Sequence, residues 1–487
     1  MTALHKPDMA QERSDVSSPT LALAKFAAAL RGEHLPQEVS ERIGELFLDY
    51  LRVASIGAST PWSEWARAYV ARLGGKGKAS ILFSSGRTNP VQAAFLNATY
   101  AGSIDSDDTH VGSMLHPGTI VFSAALAVGT EIGASGRDFL AAVAAGYEAM
   151  IRIGLAVQPT HFRRGFQSTS TCGGFGAATA AAKLLFRGDA AVQQRRIAET
   201  LGLVGSFAGG LTQFYHSGST VKRIHAARAA ENGVAAALLA SEGFSGPVDV
   251  LEGKDGFARA YADEADFGLL TDELGNRFRL LEVAFKVHAC SARIQAAVEG
   301  VLELGRDHGF RPEDIAEICV GVPSVIAGRL TIPRPVDLQA AQMSLPFSVA
   351  LAASKARKAG SGFALDVADY GRGLSDPAVQ AVESRVRCNV DSEVEAATTA
   401  ESVAAKVVVR LRSGTEHASF VLAPKGSPSR PLTHGGHVQR FQHELIKRLP
   451  ERCCTSLVES AENLARVDSV GSISDLLVGG AELAGPR

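Results

Sequence analysis

Neither sign of charge dominates this 487-residue sequence: 49 Lys and Arg stand against 51 Asp and Glu, a formal net charge of −2. Such a chain has no basic footprint for a phosphate backbone, so a nucleic-acid partner is not expected. Cysteine is sparse and unpaired in spacing. Cys172, Cys290, Cys319, Cys388, Cys453 and Cys454 make no Cys-x-x-Cys, only one vicinal pair. That argues against zinc ribbons, thiolate-held iron–sulfur clusters and a disulfide scaffold, and a cytoplasmic setting is expected. Residues 1–20 lack the apolar run of a signal peptide and are expected to be a disordered lead-in. No Gly-x-Gly-x-x-Gly, P-loop, Gly-x-Ser-x-Gly, His-Glu-x-x-His, EF-hand or kinase motif set occurs, and no repeat of 20–50 residues. The most membrane-like stretch, Phe139–Val157, is interrupted by Glu148 and Arg152. It is expected to be a buried helix, and no membrane partner follows from it.

What is present is a globular composition, 46% hydrophobic, with 49 glycines, much alanine and only 6% aromatics. Disorder of the whole chain is excluded. Small side chains let helices approach closely, so a helix-rich core is expected. The length suits roughly two to four domains, or one large domain carrying an insertion. Apolar residues recur at helical spacing through 21–51, 63–73, 89–101, 117–133, 137–157, 173–186, 190–209 and 223–243. Near residue 275 the pattern changes. Ile315–Val322 alternates as a strand does, Lys406–Leu411 and His417–Leu422 read as a hairpin, and helices lie near 291–305 and 342–356. Helices return at about 437–449 and 455–465. The expected fold is mostly α with an α+β part. A large helical domain is built from both chain ends (21–274 and 431–487), with a smaller α+β domain inserted at 275–430.

Four clusters can carry chemistry. The densest is Asp105-Ser106-Asp107-Asp108-Thr109-His110, followed by His116-Pro117-Gly118. Three readings stand: a solvated loop whose Asp residues cap the next helix, a metal site, or an acid–base site with His116 as proton carrier. Arg163 to Gly176 is hydroxyl-rich, then glycine-rich. It lacks the features of a nucleotide loop, which leaves close helix packing, or a small carboxylate held by Ser168, Thr169 or backbone amides. Lys222-Arg223-Ile224-His225 opens an alanine-rich helix. It is either an exposed helix end or the place where Lys222 neutralises a substrate carboxylate or an enediolate. In Phe285–Arg293, Lys286 and Arg293 either face a cleft between the two domains or mark a solvated strand end.

Taken in order, these clusters resemble the MmgE/PrpD family. The most specific part is Asp105-Ser106-Asp107-Asp108-Thr109 with His116-Pro117-Gly118, then Gly133-Ala134-Ser135-Gly136. Gly146-Tyr147-Glu148, Arg164-Gly165-Phe166, Lys222 with His225, Phe285-Lys286 and Ser344-Leu345-Pro346-Phe347 follow. The resemblance runs from about Leu21 to Leu449. It implies a helical domain with a smaller α+β lid, an active site between them, no metal or organic cofactor, and a homodimer.

It also implies proton movement beside a carboxylate. The leading expectation is a metal-independent dehydratase on a small di- or tricarboxylate such as 2-methylcitrate. The alternatives are epimerisation or decarboxylation of an iminodisuccinate- or cis-aconitate-like acid, or a non-catalytic metabolite-binding or scaffold homologue. By position, Asp105, His116 and Lys222 are the implied catalytic residues. Thr109, Gln167, Ser168, His225 and Lys286 are the implied substrate contacts. Two departures stand out. Gln167 occupies the place of a family histidine and cannot titrate. A second family histidine, a few residues after Phe285-Lys286, is replaced in the stretch holding Cys290, Ser291, Arg293 and Gln295.

Overall fold

The computed structural model describes residues 18–217, 219–358 and 363–478. Most of the lead-in expected at 1–20 lies outside the described residues. Its last three residues are ordered, because Ser18 caps the helix Pro19–Ala29 and the Ser18 and Thr20 hydroxyls bond Glu252.

The protein is mostly α with a small α+β part. In the helical part, Gly173–Leu185 runs through the middle and packs on Pro117–Ile132, Gly136–Val157, Ala190–Gly205 and Lys222–Ser241. Small residues permit this. A Cβ added at Gly233 would stand 2.3 Å from the Ala177 Cβ, so the two helices meet at backbone distance. Local signals set the helix ends. Asn89 and Ser135 accept amides at their N-termini, proline opens Pro90–Ala101 and Pro117–Ile132, and Gly133 ends the latter in the left-handed region. Gly136–Val157 is long and apolar enough to cross a membrane, but 94% of its apolar window is enclosed by the protein. Inside it, Arg152 Nε donates to Glu148 at 2.9 Å and its other nitrogens donate to the carbonyls of Asp272 and Arg277.

Two strands, β1 (Ala79–Ser80) and β2 (Arg87–Thr88), form a minimal antiparallel pair. The main sheet contains β3 (Ile315–Val322), β4 (Val386–Val390), β5 (Ala405–Leu411) and β6 (Glu416–Val421) in the order β4-β3-β5-β6. The β3–β5 and β5–β6 pairs are antiparallel, with Val320 opposite Val407 and Val408 opposite Ala418. The β3–β4 pair is parallel, with Ile318 opposite Val386. Ile318, Val320, Val407 and Val409 face inward, and Gln295–His308 packs on β5 and β6. The helix expected at 342–356 is split by Ser344, which caps a fresh start at Leu345.

The buried apolar residues form two cores. One holds the helical part together with Leu432, Phe441, Leu445, Leu457, Ile473 and Leu477. The other runs from Ala289 to Val421. Leu280, Val283 and Phe285, expected to begin the α+β part at 275, belong to the helical core instead. The cause is long-range: Leu280 N donates to buried Glu148, and Thr109 and Ala284 exchange backbone bonds.

Candidate active site

The site is built around the turn at 104–109. Asp105 adopts φ 53°, a left-handed conformation that aspartate tolerates better than most side chains. This turn separates two spaces. Asp105 lines a small cavity of about 50 Å3, while Ile104 and Ser106 line a cleft of about 900 Å3. The small cavity is closed by Thr109, Val111, Met114, His116, Phe162, Gln167, Ser168, Tyr215 and Lys222 from the helical side. Ser291, Ala292, Arg293 and Met343 close it from the α+β side.

Asp105 is a buried carboxylate held by two ammonium groups. Its Oδ2 accepts from Lys222 Nζ at 2.6 Å and its Oδ1 from Lys286 Nζ at 2.5 Å. Lys286 also donates to Asp107 Oδ1 at 3.2 Å. Burial opposes the charge on both carboxylates. Lys222 and Lys286 outweigh it at Asp105, so its pKa lies below the ordinary one. Burial also opposes the charge on Lys286, but Asp105 and Asp107 keep it above its usual value. Lys222 is lowered. Burial pulls it down, and Lys286 and Arg223 add to that against the attraction of Asp105 and, more weakly, Asp107.

His116 stands at the N-terminus of Pro117–Ile132 without capping it. Asp108 does the capping: its Oδ1 accepts from Gly118 N at 2.9 Å, and its Oδ2 accepts from Tyr147 at 2.8 Å. A Cβ at Gly118 would meet Tyr147 Oη at 2.6 Å and Asp108 Oδ2 at 2.7 Å, so glycine is required there. The imidazole is thereby left for the cavity. Its Nδ1 lies 2.9 Å from the Asp108 carbonyl and 2.9 Å from Thr109 Oγ1. A carbonyl only accepts, so Nδ1 carries the proton and Nε2 the lone pair. Nε2 has no partner among the described residues. Burial lowers the His116 pKa to about 4 against the opposing pull of Asp107, with Lys286 and Lys222 adding to the lowering.

The other expected residues divide. Thr109 orients His116. Ser168 lines the cavity, its Oγ accepting from Gln158 Nε2 at 2.6 Å. Gln167 lines it too, but its carbonyl is spent on Ser170 N at 2.7 Å, leaving the amide nitrogen for a ligand. Two of the expected substrate contacts are corrected. Lys286 is 1% exposed and outside the cavity lining, its ammonium consumed by Asp105 and Asp107. His225 also lies outside the lining, because it sits one turn beyond Lys222 with its ring edge-on to Phe214.

Asp105, Asp107 and His116 bring one possible metal-ligand atom each within 4.8 Å of one another. The charge that would draw a cation there is already met by Lys286, and His116 Nδ1 points its proton at a carbonyl. The donor set fits a proton-transfer site better than a metal site.

Several contributors were not expected. His110 is structural: its Nδ1 accepts from Ser113 N and its Nε2 reaches Glu282 at 3.3 Å. Fully buried Gln342 joins the two parts. It accepts from Arg223 Nη2 at 2.6 Å and donates to the carbonyls of Ile104 and Ala289. Tyr215 completes the cavity, together with Arg293, which was expected to face a cleft. Nothing in the local sequence marks Gln342 or Tyr215, since their roles come from long-range contacts.

Fold and site together describe a mostly helical protein with an acid–base cavity at its seam with an α+β unit. The chain belongs to the MmgE/PrpD family. Residues 21–270 match the MmgE/PrpD N-terminal domain and 288–464 the C-terminal domain. Among curated proteins it is 28% identical over 312 residues to a cis-aconitate decarboxylase-like protein of Aspergillus oryzae, covering 60% of this chain and 62% of that one. It is 26% identical over 359 residues to the cis-aconitate decarboxylase of Aspergillus terreus (69% and 71% covered). It is 27% identical over 349 residues to the human cis-aconitate decarboxylase (66% and 68% covered). The match thus spans less than two thirds of the Aspergillus oryzae protein's length.

Proposed function

We propose that this protein is a metal-independent lyase acting on a small polycarboxylate, and that it removes CO2 from a cis-aconitate-like acid. One observation carries the reading: a Lys222 ammonium of lowered pKa and the open Nε2 of a neutral His116 line the same small cavity. When CO2 leaves, a carbon–carbon bond breaks. Its electron pair enters the conjugated system ending on a retained carboxylate, and one proton must be delivered to carbon. Lys222 is the donor, and its charge also stabilises the enediolate that precedes protonation. Val111, Met114 and Met343 offer the departing carboxylate an apolar wall, which favours its loss as neutral CO2. The names of the three relatives support the same reaction.

A second reading, dehydration of a hydroxy-polycarboxylate, is favoured by the His116–Lys222 pair itself. His116 Nε2 would take the proton from carbon, and Lys222 would protonate the departing hydroxyl. Proton NMR in D2O with cis-aconitate, citrate, 2-methylcitrate and malate separates the two. New vinylidene signals and CO2 from cis-aconitate are expected. Vinyl signals from citrate or 2-methylcitrate alone would replace decarboxylation by dehydration. Folded protein that changes none of the four would overturn the lyase reading.

A further inference from the structure

Arg293 is a cation without a counter-ion. It lines the cavity, yet it makes no hydrogen bond or ion pair among the described residues. Its guanidinium carbon lies 4.8 Å from the centre of the Phe162 ring, and that of Arg329 lies 4.3 Å from the same centre. Arg152, Arg52 and Arg279, by contrast, are paired with Glu148, Asp49 and Glu282, whereas buried Arg223 has only the Gln342 amide oxygen as a partner. Burial, then Arg329, weigh against the charge on Arg293, with only the Tyr215 hydroxyl in its favour.

The charges facing this cavity do not cancel. Lys222 and Lys286 are answered by Asp105 and Asp107, and His116 is neutral, so that cluster balances. Arg293 is what remains. Arg293 is half-buried, so its guanidinium is reachable from the cavity and is unpaired until a ligand supplies the anion. A planar guanidinium matches a carboxylate through two parallel hydrogen bonds, as an ammonium does not. Tyr215, next to the same Phe162 ring, offers a hydroxyl with no partner among the described residues.

We propose that Arg293, assisted by Tyr215, is the specificity residue that grips a second carboxylate, remote from the carbon served by His116 and Lys222. This rests on the lyase reading above and deepens it: Arg293 holds one carboxylate of that polycarboxylate and so rejects monocarboxylates. The residue comes from the α+β side of the seam, so a diacid held between Lys222 and Arg293 also ties the two parts together.

The test is binding without turnover. Itaconate is methacrylate with one further carboxylate, carried on the methyl carbon. Each is titrated calorimetrically into the full chain, as wild type, Arg293→Gln and Arg293→Lys, with circular dichroism checking the fold. Wild type is expected to bind itaconate about 10–100-fold more tightly than methacrylate, the range of a charged hydrogen-bonded pair. Arg293→Gln is expected to lose that preference with methacrylate affinity unchanged, and Arg293→Lys to keep a minor part of it. A folded Arg293→Gln protein that retains the full preference overturns the proposal while leaving the lyase reading intact. Wild type that binds neither acid and transforms none of the four substrate candidates overturns both.

Discussion

Lys222 and Lys286 share one carboxylate. Asp105 takes Lys222 on the cavity side at 2.6 Å and Lys286 on the protein side at 2.5 Å. The two ammonium groups are thereby driven apart. Lys286, with Asp107 as a second anion, is a fixed cation. Lys222, with only a part share of Asp105 and other cations nearby, gives up its proton more readily.

That division predicts unequal mutants. Lys222→Ala should lower kcat by about 10²–10⁴, the usual worth of a positioned acid or base, with little change in thermal unfolding. Lys222→Arg should stay slow, because a guanidinium keeps the charge but not the transferable proton. Steady-state rates beside melting curves check both. A Lys222→Ala enzyme as fast as wild type would remove this residue from the chemistry.

Lys286→Met should instead fail by unfolding. It strands Asp107 as an enclosed anion and leaves Asp105 with Lys222 alone, a loss of about 3–5 kcal/mol for breaking a buried pair. Urea denaturation measures it. Adding Asp107→Asn should recover part of the loss, since one stranded charge is removed.

His116 sets the acid limb of the rate profile. Its pKa is lowered from 6.5 to about 4, so the ring stays a neutral base well below neutrality. The profile of kcat/KM should therefore fall on the acid side near 4 and not near 6.5. An inflection at the ordinary imidazole value would contradict the neutral, Nδ1-protonated ring.

Two buried acids tilt stability the other way. Burial raises Asp108 from 3.8 and Glu148 from 4.5, each to about 7, Asp107 adding to the effect at Asp108. A raised folded pKa gives stability that is complete below the unfolded pKa and is lost as pH rises through the folded one. The urea midpoint should therefore fall as pH rises from about 4 to about 7 and level off above, and Asp108→Asn should flatten part of that slope. A midpoint unchanged across this interval would mean that Asp108 is already ionised.

Much of this was legible in the residues. Helical spacing located the elements around Gly173–Leu185, and alternation located β3 to the residue, because both patterns are local. β4 was missed: only Val386 of its five residues is buried, so Val386–Val390 shows no alternation. The same limit governs the site. Asp105, His116 and Lys222 were marked by their density of charge and by resemblance. The inward turn of Lys286 was hidden, because only the fold shows which carboxylates await it. Gln342 was hidden for the same reason, since its value lies in three partners far apart in sequence.

The helical core also carries a timetable. Val39, Phe47 and Leu51 share it with Leu432, Phe441 and Leu477, and Gly136 N bonds the carbonyl of Val467. The second core needs only residues from Ala289 to Val421. A ribosome therefore releases everything the later core needs before it releases the strip that seals the earlier one. At about 5–20 residues per second, the apolar groove that receives this strip stays uncovered for on the order of tens of seconds. During that interval the nascent chain offers a sticky surface, and it is then that chaperones have most to do for this protein.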